Sequence, residues 1–150
     1  MARDAPRPSG RPRAGESGSV LIEAALLLPV VIVLASGVVM AGRVAHARIG
    51  VEAVAREAGR ALAQAPSQAR GLADARAAAL DAARGYGLDA TAVVLDLQTG
   101  SFRRGEVVRA RASYPVELAD LPLLPRARAT VSASHEERLE LYRSRARALP

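Results

Sequence analysis

The sequence has no cysteine and no lysine, and large aromatic rings are scarce. Because cysteine is absent, disulfide bonds, thiolate metal sites and a cysteine nucleophile are all excluded. The two histidines leave almost no material for a zinc site or for histidine-based catalysis, so we predict no cofactor and no enzymatic activity. One Phe, three Tyr and no Trp also supply little for a large globular core.

Arginine supplies all 21 basic residues, against 15 acidic residues, which gives a formal net charge of +6. A positive net charge of this size suggests nucleic-acid binding as a candidate function. The arginines, however, are spread along the chain among acids, and almost no aromatic rings are present on which bases could stack. We therefore predict no nucleic-acid partner. The basic cluster in the last third is interpreted as a solvated sheet face; it comprises Arg103, Arg104, Arg109 and Arg111.

What the sequence does have is one long apolar run over residues 20–42, with no charge after Glu23. As a helix this run rises roughly 34 Å, close to the thickness of the bilayer hydrocarbon. The rest of the chain has too little apolar surface to surround such a helix. We therefore predict a transmembrane helix over 19–42 that contacts membrane lipid, preceded over 1–18 by a disordered leader rich in Arg, Pro, Gly and Ser.

After the apolar run, apolar residues recur at spacings of three and four, which is typical of an amphipathic helix. We predict that this helical stem covers 43–86 and that Pro66 divides it, with the second helix beginning at Ser67. Glu52 and Arg56 lie four residues apart and are predicted to form an ion pair on the exposed face.

The last third of the chain changes to period-two alternation, which predicts strands with one buried face. We expect about three strands in a small antiparallel sheet over 87–134, lying on the stem, and a charged tail over 135–150 that is a short helix or a frayed end. The predicted fold class is therefore α+β. The alternating segments are 93–97, 108–114 and 127–133.

Three hypotheses account for the N-terminal part. The first is a cleaved secretory signal peptide with a small-x-small site at Ala45-His46-Ala47, which would give a secreted protein cut after Ala47; the apolar run is long for such a peptide. The second is a signal anchor that displays a small binding module at the cell surface. The third depends on Glu23, because a carboxylate inside an apolar segment is costly and is a functional candidate by default.

The residues around Glu23 carry a further pattern. Removal of everything through Gly18 would leave Ser19 as the first residue and Glu23 as the fifth, at the start of the apolar helix. This arrangement resembles the type IV pilin family. The run from Gly18 to Pro29 resembles the TadE-like branch of tight-adherence (Flp-type) pilus systems, although Ala24 stands where Flp-type sites usually carry an aromatic. Further segments share the resemblance: 47–48 and 54–61 in the stem, and 133–135 with 142–144 in the C-terminal part.

The resemblance implies a membrane-anchored, non-catalytic minor pilin or pseudopilin of a tight-adherence (type IVc) pilus assembly and secretion system. A prepilin peptidase would cut between Gly18 and Ser19 on the cytoplasmic side, and the C-terminal domain would be extracytoplasmic. The other implied partners are related pilins or pseudopilins and an inner-membrane assembly platform. Glu23 would meet the amino terminus of a neighbouring subunit and set the axial register.

Two more features of the apolar helix bear on assembly. Pro29 lacks an N–H and is predicted to kink or loosen the helix shortly after Glu23. Gly37, Ala41 and Ala45 form a small-xxx-small face, which predicts close helix contact and self-association through the N-terminal helix.

Overall fold

A computed structural model of the chain describes residues 14–118 and 128–139, without the side chains of 14–19. It confirms the predicted α+β class, with a long N-terminal helix, a second helix and a three-stranded antiparallel sheet. The elements are α1 (Ala14–Gln64), α2 (Gln68–Gly85), β1 (Val94–Gln98), β2 (Val107–Glu117) and β3 (Arg128–Arg138). The chain divides into two compact units, Met1–Gly37 and Val38–Pro150.

The described part of the first unit is helical. Helix α1 begins at Ala14, inside the segment predicted to be a disordered leader, and it continues through Pro29 without a break. Its large apolar side chains from Val20 onward are exposed. Within the described residues, α1 is the one helix that is long and apolar enough to cross a membrane; its most apolar window has a mean hydropathy of 2.6 and none of that window is buried.

In the second unit, one face of the stem of α1, one face of α2 and the inward side of the sheet share one apolar core. One face of α1 is buried at the predicted spacing of three and four residues. The buried residues of α2 are all glycine or alanine, so the α2 backbone can lie close to the elements packed against it. The alternation predicted for β2 is observed over residues 107–112, where Val108, Ala110 and Ala112 are fully buried; Tyr114 is only partly buried. The main contributors are Ala47, Val51, Val54, Ala58 and Leu62 of α1, Gly71, Ala75, Ala79 and Ala83 of α2, and Val108, Ala110 and Ala112 of β2.

The two helices meet at a short connection around Pro66, where the break was predicted. Ser67 is the N-cap of α2, and its hydroxyl accepts a hydrogen bond from the backbone N–H of Arg70 at 3.4 Å. A Cβ placed on Gly71 would lie 3.2 Å from the carbonyl oxygen of Leu62. Glycine at this position therefore allows the first turn of α2 to pack directly on the last turns of α1.

The sheet has the order β1-β2-β3 with antiparallel neighbours. Its register places Leu97 of β1 opposite Ala110 of β2, and Ala110 opposite His135 of β3. Strand β3 continues to Arg138, so the prediction of a tail from 135 is wrong for the first four residues. Residues 1–13 of the predicted leader and 140–150 of the predicted tail lie outside the described residues.

The extension of β3 has a physical cause. Glu136 accepts hydrogen bonds from the guanidinium of Arg109 on β2, including one from Nε at 2.8 Å. Beyond the strand, the backbone N–H of Leu139 donates to the carbonyl oxygen of Glu106 at 2.8 Å, and the Leu139 side chain is buried. Cross-strand pairing and apolar burial therefore hold residues that look like a solvated tail in the sequence.

The connection between β1 and β2 is organised by Glu106. Its carboxylate accepts hydrogen bonds from the hydroxyl and the backbone N–H of Ser101 and from the backbone N–H of Arg103. The Ser101 hydroxyl first, and the Arg103 N–H next, lower the pKa of Glu106 from its ordinary value. The chain turns here at Gly100 and Gly105, which both have positive φ.

Candidate assembly site on the N-terminal helix

The bond predicted to be cleaved, between Gly18 and Ser19, lies inside α1. Cleavage there would leave Ser19 as the first residue of a helix that continues to Gln64. The first N–H groups of such a helix have no intrahelical acceptor, and its N-terminal end carries a partial positive charge in addition to the free amine. The cut would therefore create a cationic end one turn before Glu23.

Glu23 itself is exposed on the first unit, among exposed leucines such as Leu26 and Leu27. No other residue in the described ranges gives it a hydrogen bond or an ion pair. An ionised carboxylate without a partner is penalised in an apolar environment. A partner for Glu23 must therefore come from outside the described part of this chain, or the carboxylate must reach water at the membrane surface.

The remaining predicted assembly residues are also exposed. Pro29 lies in an uninterrupted helix. About two turns later the hydroxyl of Ser36 donates to the carbonyl oxygen of Ile32 at 2.8 Å, so that polar group is satisfied within α1. A Cβ on Gly37 would meet no atom within 4 Å. Ala41 and Ala45 are exposed as well. The described residues leave each of these positions uncovered, and their roles in packing stay predictions.

Two segments that are distant in the sequence, 54–61 and 133–135, meet in the second unit. Gly59 of α1 faces His135 of β3, and a Cβ on Gly59 would lie 2.9 Å from the Cδ2 atom of His135. The Nε2 atom of His135 lies 2.9 Å from Oε2 of Glu137, two residues further along the strand. The sequence did not predict this contact. Through this contact, residues of both segments pack β3 against the stem of α1.

The second unit also contains a groove beside the first turns of the stem, which the sequence did not predict. It has a volume of about 540 Å³ and lies between α1, the connection after α2 and the end of β2. His46 Nε2 lies 3.0 Å from the carbonyl oxygen of Tyr86; because a carbonyl can only accept, Nε2 carries the proton. The residues that line the groove include Arg43, His46, Leu88, Asp89, Tyr114 and Glu117.

The polar groups of this groove make hydrogen bonds to other residues of the second unit. The backbone N–H of Asp89 donates to the Tyr114 hydroxyl at 3.4 Å. The Asp89 carboxylate accepts from the hydroxyl of Thr91 and then from its backbone N–H, and these two hydrogen bonds lower the pKa of Asp89. Glu117 accepts from Arg128 at 3.3 Å across the β2–β3 pair.

The charged side chains of the sheet face outward. Arg109 pairs with Glu136, and Arg111 is exposed beside it on β2. Glu52 pairs with Arg48 and not, as predicted, with Arg56; the Arg48 Nε to Glu52 Oε1 distance is 3.2 Å. Within the ranges the structure covers, no three His, Cys, Asp or Glu side chains are grouped so that they could hold a metal ion.

These features define a class of protein in which one apolar helix that could span a membrane continues into a small α+β domain. The model of the family described as TadE-like protein matches residues 18–60, which confirms the resemblance over that part of the chain. The match covers the Gly18–Ser19 bond, Glu23 and the stem as far as Arg60. It links this segment to a pilus-associated structural family. No curated protein and no solved structure matches the chain significantly.

Proposed function

We propose that the protein is a minor pilin or pseudopilin of a tight-adherence pilus assembly and secretion system, anchored by α1 and without catalytic activity. The observation that carries the proposal is the position of Glu23, five residues after Gly18 in an exposed apolar helix, inside the segment that matches the TadE-like family. Its partners would be related pilins or pseudopilins, an inner-membrane assembly platform and a prepilin peptidase.

The chemistry of the helix end supports this role. Processing after Gly18 would place a free ammonium group and unpaired backbone N–H groups at the start of α1. A neighbouring helix, shifted along its axis, could bring that end against the Glu23 carboxylate. In a medium of low dielectric, shifts that leave the carboxylate unpaired are penalised, so the ion pair selects one axial register.

The secreted alternative would separate the chain after Ala47. This residue lies inside α1 and is only 4% exposed, packed in the core of the second unit. Cleavage there would remove from the domain the helical turn that carries Val44 and Ala47. The packing therefore favours a chain in which the apolar run stays joined to the stem, and the signal anchor without a pilus role is the main competing hypothesis.

N-terminal sequencing of the membrane-bound protein, from cells with and without a prepilin peptidase, tests the processing step. We expect Ser19 as the first residue, and only when the peptidase is present. An intact Met1 in peptidase-positive cells would contradict cleavage and favour the signal anchor. A protein in the culture medium that starts at Arg48 would support secretion.

Substitution of Glu23 tests the assembly step separately from anchoring. Glu23→Gln should abolish or strongly reduce pilus assembly while the protein remains in the membrane fraction. The matched control is Glu52→Gln, which neutralises an exposed acid of the same helix in the second unit. Wild-type piliation in Glu23→Gln would show that Glu23 is only an acid at the membrane surface.

A further inference from the structure

The groove beside the first stem turns lies where α1 changes from apolar to charged. Within the second unit, α1 opens with Val38 and Val39, which are 74% and 57% exposed, and Arg43 is its first charged residue. Arg43 and His46 then line the groove. If the apolar run crosses a bilayer, these residues stand at the level of the lipid headgroups, because lipid tails must cover the exposed valines.

The tyrosines support the same placement. The sequence has three Tyr, and two fall in the described ranges: Tyr114 lines the groove, and the backbone carbonyl of Tyr86 lies 3.0 Å from Nε2 of His46, which lines it too. Tyrosine is enriched where a membrane meets water, since its ring is apolar and its hydroxyl is polar. Two such residues from separate segments, next to the end of one apolar helix, mark this end of the domain as the one that faces the membrane.

The lining has an apolar floor and a rim with charges of both signs. Ala47, Leu88 and Val116 line the groove and are each less than 9% exposed. Arg43 supplies cationic donors at the rim, and Glu117 and Asp89 supply carboxylates. Glu117 also pairs with Arg128, so charges of both signs surround the groove. A ligand with separate phosphate and ammonium groups meets both signs, whereas a purely anionic ligand meets only the cationic one.

We propose that this groove binds the headgroup of a phospholipid with a primary ammonium group, phosphatidylethanolamine. The phosphate lies against the guanidinium of Arg43 and the hydroxyl of Tyr114, which can still donate while it accepts from Asp89. The ammonium group donates to Glu117, whose carboxylate has more acceptor positions than its contact with Arg128 uses. The first part of each acyl chain covers the exposed valines. This binding depends on α1 crossing the membrane and not on the pilus role.

The chemistry distinguishes this lipid from its two common relatives. A choline headgroup has the same charges, but its quaternary nitrogen carries no N–H to donate to Glu117. A glycerol headgroup leaves the lipid with a net negative charge and offers no cation to the carboxylates. We therefore expect the groove to prefer a headgroup that has both a positive charge and N–H donors over one that lacks either property.

Native mass spectrometry of the intact chain in detergent, mixed with the three lipids at matched acyl chains, measures this preference directly. We expect the wild-type protein to retain phosphatidylethanolamine about tenfold better than phosphatidylcholine or phosphatidylglycerol, the factor that one charge-assisted hydrogen bond typically supplies. Equal retention of all three lipids would overturn the proposal, as would a preference for phosphatidylglycerol. Neither result would bear on processing after Gly18.

Variants locate the site. Glu117→Gln should lower retention of phosphatidylethanolamine to the level of phosphatidylcholine, and Tyr114→Phe should lower retention of both lipids. Glu52→Gln serves as the control, since Glu52 lies on the same unit outside the groove and pairs with Arg48. Circular dichroism confirms that each variant is folded. Unchanged lipid preference in a folded Glu117→Gln protein would show that the groove is not the binding site.

Discussion

Helix α1 contains two stretches that use their apolar side chains in opposite ways. Over residues 20–34 large apolar side chains such as Leu21 are exposed, at 71% for that residue. Over residues 47–62 the inward side chains are buried, and Val51, Val54 and Leu62 have no exposed surface. The second stretch has a sheet to cover it, whereas the first has no cover among the described residues.

The contrast shows that helical periodicity and burial are separate properties. The stem is apolar on one face only, so a single sheet satisfies it, and charged residues such as Arg48 and Glu52 occupy the opposite face. Residues 24–35 are apolar all round, which a sheet on one side cannot satisfy. A helix of that kind needs an environment that is apolar in every direction, such as lipid or a bundle of similar helices.

The largest expected effect comes from removing equal side chains from the two stretches. Leu62→Ala should lower the free energy of unfolding of the domain by about 2–5 kcal/mol, because it deletes a fully buried side chain. Leu27→Ala, at a leucine that is 55% exposed, should change it by less than about 0.5 kcal/mol. Urea denaturation of both variants in detergent measures the difference, and equal effects would remove the contrast.

An arginine introduced into residues 20–34 tests whether this exposed stretch lies in lipid. Leu27→Arg should reduce membrane insertion, since arginine near the centre of a spanning helix costs about 2.5–3.5 kcal/mol. The control is Leu80→Arg on α2, where the leucine is 40% exposed in the second unit. The measurement is the fraction of protein that resists alkaline extraction from membranes, and equal extraction of both variants would argue against a membrane span.

Alanine substitutions of one glycine from each unit should also differ in their effect on stability, by a smaller amount. Gly71→Ala should destabilise the domain by about 1–3 kcal/mol, because its Cβ would press on the backbone of Leu62. Gly37→Ala meets no neighbour and should be neutral or stabilise the helix by up to about 1 kcal/mol. Thermal denaturation compares the two. A harmless Gly71→Ala would show that α2 is free to move away from α1.

The smallest effect concerns the turn between β1 and β2. Because hydrogen bonds lower the pKa of Glu106 in the folded state, its contribution to stability is present above its ordinary value of 4.5 and is lost as the pH falls below it. The Glu106→Gln protein should therefore lose less free energy of unfolding between pH 7 and pH 3 than the wild type. Ser101→Ala should reduce this pH dependence in the same way. Denaturation followed between pH 3 and pH 7 provides the test. Identical slopes in all three proteins would exclude the role assigned to this carboxylate.

The sequence predicted those elements whose signal is local. Alternation of Val108, Ala110 and Ala112 with polar residues was sufficient for β2, and Pro66 was sufficient for the break between the helices. The end of β3 was missed because the charges after His135 resemble a solvated tail. Glu136 is held by Arg109, which lies 27 positions away, so no window of local sequence contains the reason.

The candidate sites show the same limit. Glu23 could be selected because one acid in an apolar run is visible in the sequence alone. Spacing could not decide between Arg48 and Arg56 as the partner of Glu52, since each lies four positions away. The groove draws its lining from the segments 43–47, 87–92 and 114–117, none of which is unusual by itself. Only the packing of the three segments brings their polar groups together.

The contact between Gly59 and His135 can form only late in the synthesis of the chain. His135 follows Gly59 by 76 residues, so the buried face of the stem cannot receive its last strand until almost the whole chain has been made. At typical rates of synthesis that interval is about 4–15 s. During it the apolar side chains of the stem lack the cover of β3 while α1 is already complete. A holding chaperone, or rapid delivery of the ribosome to the membrane, would protect the chain from aggregation over those seconds.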